Sequence, residues 1–244
     1  MKKIKFKKEV WAIVTARKKS KSIYRKNIVR VKGKELIKYS YDELKKINYL
    51  KKIITSSDDE KIKKISSKYN FDFFDRKSYL TGDKINSVNV VLDVLNEALK
   101  KFNYLPESFL LIQPTSIFLN SKHIKKIITV LKKNNYYKSA QTIIKVPHQF
   151  HAYNQRSFKD NSTKFVFEKK RKKMHNKQTK PIFYAYGNLI ASKTKDFIKN
   201  KNFFSQPSFG YEIPNIFGFD LDNKFDLKIV KQLIQKKLAF YEKD

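Results

Sequence analysis

The segment Ala16-Arg17-Lys18-Lys19-Ser20-Lys21-Ser22-Ile23-Tyr24-Arg25-Lys26-Asn27 gathers six cations and two serine hydroxyls within twelve residues. Ammonium and guanidinium groups offset phosphate charge, and hydroxyls hydrogen-bond phosphate oxygens, so this composition suits a polyphosphate. A solvated lysine-rich loop has the same composition, and both readings stand at this point. Neither a Walker sequence nor G-x-G-x-x-G occurs, which excludes those two phosphate cradles. Near the other end of the chain, Phe219-Asp220-Leu221-Asp222 places two acids two residues apart. On a strand such residues share a face, and paired carboxylates are how proteins hold Mg²⁺ while it also binds substrate phosphates. The alternative is that Asp222 merely caps the helix that follows. A third segment, Leu111-Ile112-Gln113-Pro114-Thr115-Ser116, ends an apolar run in an amide and two hydroxyls. His148 and His151 have neither cysteine nor a close carboxylate as company, which disfavours zinc.

The elements that must position these residues alternate in type. Val10–Thr15, Lys52–Ser56, Phe71–Phe74, Phe109–Ile112 and Ala140–Val146 read as short buried strands, with further strands at Leu189–Ala191 and Ile216–Leu221. Between them, helical periodicity runs over Glu35–Ile47, from Ser57-Asp58-Asp59 through Ile62 and Ile65, over Val88–Phe102 and over Ser121–Leu131. Short and final helices are expected at Asp196–Lys199 and Leu227–Leu238. The alternation predicts an α/β fold of three layers, a mostly parallel, doubly wound sheet with helices on both faces. In such a sheet ligands bind beyond the carboxyl ends of the strands, where the 16–27 loop would lie. Residues 147–186 break the pattern and are too long for an ordinary loop, so an excursion such as a hairpin or a dimer arm is expected there. No repeat and no Gly/Ser/Pro linker divides the chain, which reads as one domain over 1–244.

The 244 residues carry 55 Lys+Arg against 22 Asp+Glu, a formal net charge of +33. Only six of the cations are Arg, at 17, 25, 30, 76, 156 and 171, and the 49 Lys are spread over nearly every segment. Nucleic-acid readers concentrate charge and favour Arg, so a polyanion- or nucleic-acid-binding protein is the alternative rather than the leading reading. The run Lys169–Lys173 is read as a solvated loop. Zero cysteines exclude disulfides, thiol nucleophiles and thiolate metal sites. No run reaches the length of a membrane helix, and the basic-then-apolar start lacks a cleavage signal, so a soluble, cytoplasmic protein is expected.

These segments together resemble the CMP-N-acylneuraminate (sialic acid) cytidylyltransferase family. The family's A-R-x-x-S-K-x-x-x-x-K-N loop is matched by Ala16, Arg17, Ser20, Lys21, Lys26 and Asn27, and its S-T-D by Ser56-Ser57-Asp58. R-P-x-x-L-x-x-D-x-x-x-S is matched by Arg76, Leu80, Asp83 and Ser87, and L-L-Q-P-T-S by Leu111 to Ser116. The closing D-I-D-T-x-x-D-L is matched by Asp220-Leu221-Asp222-Asn223 with Asp226-Leu227. Lys26-Asn27, where related Kdo enzymes read K-P, favours the sialate branch.

The resemblance implies a nucleotide-diphospho-sugar transferase-like fold and a Mg²⁺-dependent transfer of CMP from CTP to the anomeric hydroxyl of a nonulosonic acid, releasing pyrophosphate. It implies that Arg17, Ser20 and Lys26 hold the triphosphate, and that Asn27, Arg76 and Ser87 contact the cytidine. Asp220 and Asp222 would bind Mg²⁺, and Gln113 with Phe203-Phe204 would meet the sugar acid. Arg17, Lys26 and Asp222 are the expected catalytic residues, and a homodimer through residues 147–187 is expected. Without the resemblance, Phe203-Phe204 reads equally well as core or interface. The chain departs from the family at Lys18-Lys19, where glycines are common, and at Ile117-Phe118-Leu119, where P-L-R is common. It departs again at Tyr184-Ala185-Tyr186-Gly187, where R-x-N-G stands. The last departure bears on the acceptor sugar acid, so another sugar acid is the alternative substrate.

Overall fold

The structure, a computed structural model, describes residues 4–174 and 176–236. The strands are β1 (Phe6–Thr15), β2 (Arg30–Val31), β3 (Lys34–Glu35), β4 (Leu50–Ser57), β5 (Asp72–Asp75), β6 (Leu105–Ile112), β7 (Ser139–Lys145), β8 (Arg156–Lys159), β9 (Ser162–Phe165), β10 (Tyr184–Lys193) and β11 (Ser208–Glu212). The helices are α1 (Leu36–Lys45), α2 (Glu60–Lys68), α3 (Ser87–Phe102), α4 (Ser121–Lys133), α5 (Glu168–Lys173), α6 (Thr194–Asn200) and α7 (Lys224–Gln235). Seven strands form one sheet in the order β11-β7-β10-β6-β1-β4-β5. Pairing is parallel throughout except at β10, which runs against both β6 and β7.

The period of two along the central strands divides the core into two layers. Val10, Ala12 and Val14 of β1 face α1, α2 and α4, meeting Ile37, Tyr41, Ile62, Ile65, Ile124 and Ile128. Trp11 and Ile13 face the other way, toward Val91, Val94, Leu95 and Ala98 of α3 and Phe197 of α6. Both faces of β1 and β6 are therefore covered, which is why their sequences are nearly continuous apolar runs. A third cluster sits beyond the strands' carboxyl ends. It joins Ile23 of the first loop, Val31, Leu36, Ile117, Phe118, Leu221 and Val230 of α7.

Three expectations differ, the first being that Lys169–Lys173, read as a solvated loop, is largely exposed but helical as part of α5, where Glu168 pairs with Lys172 one turn on. Residues 216–221 form no strand: Asn215–Gly218 is a 3₁₀ turn, and the chain then runs extended outside the sheet to α7. Pro214 precedes that turn, and its fixed φ and missing N–H favour the start of a helical turn over a ladder. The sheet edge beside β7 is instead filled by β11, a five-residue strand whose weak alternation gave no signal in the sequence. The final helix starts at Lys224, with Asn223 and Asp226 forming a capping box, and residues 237–238 of its expected span lie outside the described residues. Between β7 and β10 the chain leaves the sheet as 3₁₀ turns, the β8–β9 hairpin and α5.

Candidate active site

The loop after β1 is held by its own flanks before any ligand is considered. The backbone N–H of Lys18 donates to Asp58 Oδ1 at 2.6 Å, and the Asn27 side-chain N–H donates to the Arg17 carbonyl at 2.9 Å. Arg25, in the left-handed region at φ 47°, makes a two-pronged ion pair with Asp59, which also caps α2 by accepting from Lys61 N–H. Burial opposes ionisation of Asp59, but Arg25 and the backbone N–H groups outweigh it and hold its pKa low. The Ser-Ser-Asp segment at the end of β4 thus serves as an anchor. Ser56 contributes too, its carbonyl accepting from Arg76 Nη2 at 2.9 Å.

Arg17, Ser20, Lys26, Asn27, Arg76, Ser87, Gln113, Asp220 and Asp222 all line one cavity of about 270 Å³. Thr15, Gln113 and Arg76 stand at the carboxyl ends of β1, β6 and β5, and Ser87 opens α3. The cavity therefore lies at the point where the chain order of the sheet reverses between β1 and β6, with a helix amino end at its rim. Ile23 and Leu221 are both buried in the third apolar cluster, and that packing brings the basic loop against the acidic segment. Lys26 Nζ donates to the Leu221 carbonyl at 2.9 Å and lies 3.4 Å from Asp222 Oδ1, while Ser22 Oγ donates to the Asp222 carbonyl.

Asp220 and Asp222 flank Leu221, whose N–H donates to the Thr115 carbonyl at 3.0 Å. Asn223 and Asp226 cap α7, so the Asp222 carboxylate is not spent on the helix. Asp220 keeps open surface toward the cavity but has protein on its other sides. That burial is the main cause of its raised pKa; the Thr115 hydroxyl and Lys26 oppose it and the neighbouring Asp222 adds to it. Arg76 is pushed down to about 10 by burial, with Asp58 opposing and Arg17 assisting, and stays a cation at neutral pH. Arg17 and Lys21 converge on Asp83 at 2.6 and 3.0 Å, across the mouth of the cavity.

Phe203 corrects the expectation of an aromatic pair in the pocket. It is 7% exposed and packs on Phe197 and Phe109 within the sheet–helix core, with centroids 4.8 and 6.4 Å away. Consecutive residues in this turn point apart, so only Phe204 emerges; it does not line the cavity and stands edge-on to Tyr186 at 5.6 Å. Tyr186 stood in the sequence as part of a departure from the family pattern, and its pairing with Phe204 had no signal there. Its hydroxyl pKa is raised by burial and then by the charge of Asp220. A bulge in β10 falls between Tyr186 and Ile190, and Gly187 allows it, since a Cβ would come 2.7 Å from Thr142 Oγ1. Thr115 and Asp83, by contrast, stood inside the quoted motifs, and only their partners were missing.

Two carboxylates beside a cluster of phosphate-suited cations fit Mg²⁺ held jointly with a substrate phosphate, because Mg²⁺ takes one or two carboxylates and keeps its other positions for water and phosphate oxygens. Among the described residues no group of three or more His, Cys, Asp or Glu could hold a metal without such a substrate. No helix among them is long and apolar enough to cross a membrane.

The chain is similar to known proteins over most of its length. A family model described as Cytidylyltransferase matches residues 11–244. An N-acylneuraminate cytidylyltransferase of Escherichia coli is 26% identical over 231 residues, which are 94% of this chain and 53% of that protein. The chain thus spans about half the length of that relative. A pseudaminic acid cytidylyltransferase of Campylobacter jejuni is 26% identical over 223 residues, 91% of this chain and 94% of that one. Among solved structures, a CMP:2-keto-3-deoxy-manno-octonic acid synthetase complexed with CTP superposes with a TM-score of 0.69 at 11% identity, covering 94% of this chain and 99% of its own. At that identity the likeness speaks for the fold alone.

Proposed function

From the premise that this chain belongs to the cytidylyltransferase family, we propose that it transfers CMP from CTP to the anomeric hydroxyl of a sialic-acid-like nonulosonic acid, with release of pyrophosphate. The observation that carries this reading is the meeting of Lys26 with the Leu221–Asp222 segment inside a cavity that also holds Arg17, Arg76, Ser87 and Gln113. In this reading Arg17, Ser20 and Lys26 bind the triphosphate, and Asn27, Arg76 and Ser87 bind the cytidine. Asn27 donates one amide N–H to the Arg17 carbonyl and keeps its second N–H and its oxygen for the ligand. Gln113, with Phe204 and Tyr186 beyond Asp220, faces the acceptor.

Asp220 and Asp222 would hold Mg²⁺ with a phosphate oxygen, and the ion supplies charge neutralisation at the phosphates. The protein's own part is to set the hydroxyl in line with the α-phosphorus and to offset the charge that grows on the departing pyrophosphate. Arg17 and Lys26 do the second. In this reading Asp222 would accept the hydroxyl proton. The enzyme is proposed to act in the cytoplasm as a homodimer through the 147–187 excursion.

The relatives named for N-acylneuraminate and for pseudaminic acid are equally distant, so the acceptor is decided by assay. Pyrophosphate release is measured from CTP and Mg²⁺ with N-acetylneuraminic, legionaminic and pseudaminic acids in turn. Release with at least one is expected; none with any of the three, in folded protein, overturns the proposal.

A further inference from the structure

The excursion between β7 and β10 carries an imbalance that the nucleotide cleft does not use. Residues 147–183 contain ten Lys and Arg but only two acids, Asp160 and Glu168. Most of these cations are solvated, where a lysine ammonium is well hydrated and needs no partner. Lys180 is different: only 9% of it is exposed. Its Nζ donates to Asn154 Oδ1 at 2.8 Å, and Arg171 Nη1 donates to the same oxygen at 2.7 Å. One amide oxygen has two lone pairs and satisfies the geometry, but it is neutral and leaves both charges uncompensated.

The neighbouring groups offer no relief. Glu168 is taken by Lys172 at 2.7 Å, and among the described residues no carboxylate pairs with Lys180, Arg171 or Lys177. Desolvation and then Arg171 lower the pKa of Lys180, and His148 is lowered by desolvation and then by Lys180 and Lys177. His151 has both ring nitrogens engaged: Nδ1 accepts from the Tyr153 N–H, and Nε2 meets the Pro181 carbonyl at 3.0 Å. Its ring stacks on Phe183 at 4.6 Å, which gives the cluster a rigid floor. Beside it lies a cavity of about 370 Å³ lined by Lys145, His148, Lys177 and Lys180. That cavity shares no lining residue with the nucleotide cleft.

We propose that this pocket binds a dianion of the phosphate class through Lys180 and Lys177, with Arg171 balancing the charge from behind Asn154. Two cations that share one neutral amide oxygen are an incomplete arrangement, and an oxyanion supplies the missing charge. A dianion fits better than a monocarboxylate because Lys145, Lys177 and Lys180 line the cavity and no acid does, Glu212 standing in the adjoining cavity across the shared wall of Lys145, His148 and Lys177. Bound there, it relieves the repulsion between Lys180 and Arg171 and stiffens the arm.

The test uses the full chain carrying Lys26→Met, so that the phosphate affinity of the nucleotide cleft is reduced. Calorimetry and thermal unfolding are recorded with inorganic phosphate, with glucose 6-phosphate as a phosphomonoester, and with acetate as the monoanion. Saturable binding of phosphate or of the phosphomonoester is expected, with a rise in Tm of about 2 °C or more at saturation and a far weaker response to acetate. Lys180→Met keeps the aliphatic stem and removes the charge. It should abolish the phosphate response and raise Tm in anion-free buffer, because the uncompensated cation is gone. Binding of phosphate alone or of the ester as well tells a free-ion site from one that accepts an esterified phosphate, and either result supports the proposal. Absence of saturable binding by both overturns it, and so does a phosphate response that survives in Lys180→Met or an acetate response of equal strength.

Discussion

Lys26 Nζ lies 2.9 Å from the Leu221 carbonyl and 3.4 Å from Asp222 Oδ1, although nearly the whole chain separates the two residues. The contact is set by apolar packing rather than by the ion pair. Ile23 and Leu221 are buried in one cluster, so the loop that carries Lys26 and the segment that carries Asp222 are fixed before their charges meet. An ion pair with one partner 74% exposed would not by itself hold two loops together.

Asp222→Ala should therefore abolish turnover and leave the fold intact. The side chain is exposed, and α7 keeps its Asn223–Asp226 capping box. A loss of about 10²-fold or more in kcat is expected for a group that acts on the reacting centre, with Tm unchanged. Near wild-type pyrophosphate release in this variant removes the assignment of Asp222 to the chemistry.

Asp83→Asn separates competition from positioning. Asp83 holds Arg17 and Lys21 in the free protein. A triphosphate would have to displace it, so neutralising it should tighten CTP binding, by about two- to tenfold for a partly exposed ion pair. Weaker CTP binding in calorimetry would instead make Asp83 the group that positions Arg17.

Phe203→Ala and Phe204→Ala should part company. Phe203 is packed against Phe197 and Phe109, and its truncation should cost about 3–5 kcal/mol of stability in denaturant unfolding. Phe204 is 38% exposed beside Tyr186, so its loss should leave stability nearly unchanged and raise KM for the acceptor while KM for CTP stays constant.

His123 gives the fold a pH dependence with a definite sign. The residue is 3% exposed on α4, edge-on to Phe217 at 4.8 Å. Burial, opposed by Glu43, takes its pKa from 6.5 down to about 4. The unfolded chain then binds the proton more readily than the folded one between those values, so stability is full above about pH 6.5 and is lost as pH falls toward 4. The drop from this one residue is about 3 kcal/mol. Urea unfolding from pH 7 to 4 should show that slope in the wild type and a shallower one in His123→Phe, which keeps an aromatic edge against Phe217. Equal slopes in the two proteins would mean that other groups govern the acid limb.

The sheet was legible because strands covered on both faces must be apolar throughout and helices on a sheet must repeat near 3.6 residues. Both patterns are local, and β1, β4, β6, α3 and α4 follow them to within a few residues of the expected bounds. The cavity-lining residues from Arg17 to Asp222 were legible as types and spacings, but their company was not. That Ser56 and Asp58 serve to hold Arg76 and the Lys18 backbone, and that Phe203 turns inward while Phe204 turns out beside Tyr186, depend on contacts between distant segments. The sequence by itself determined which groups could neutralise phosphate and which elements would carry them, because charge and periodicity belong to each segment alone. Tertiary structure alone decided that Lys26 faces Asp222, because the burial of Ile23 and Leu221 in one cluster is a property of neither segment until the chain closes around it.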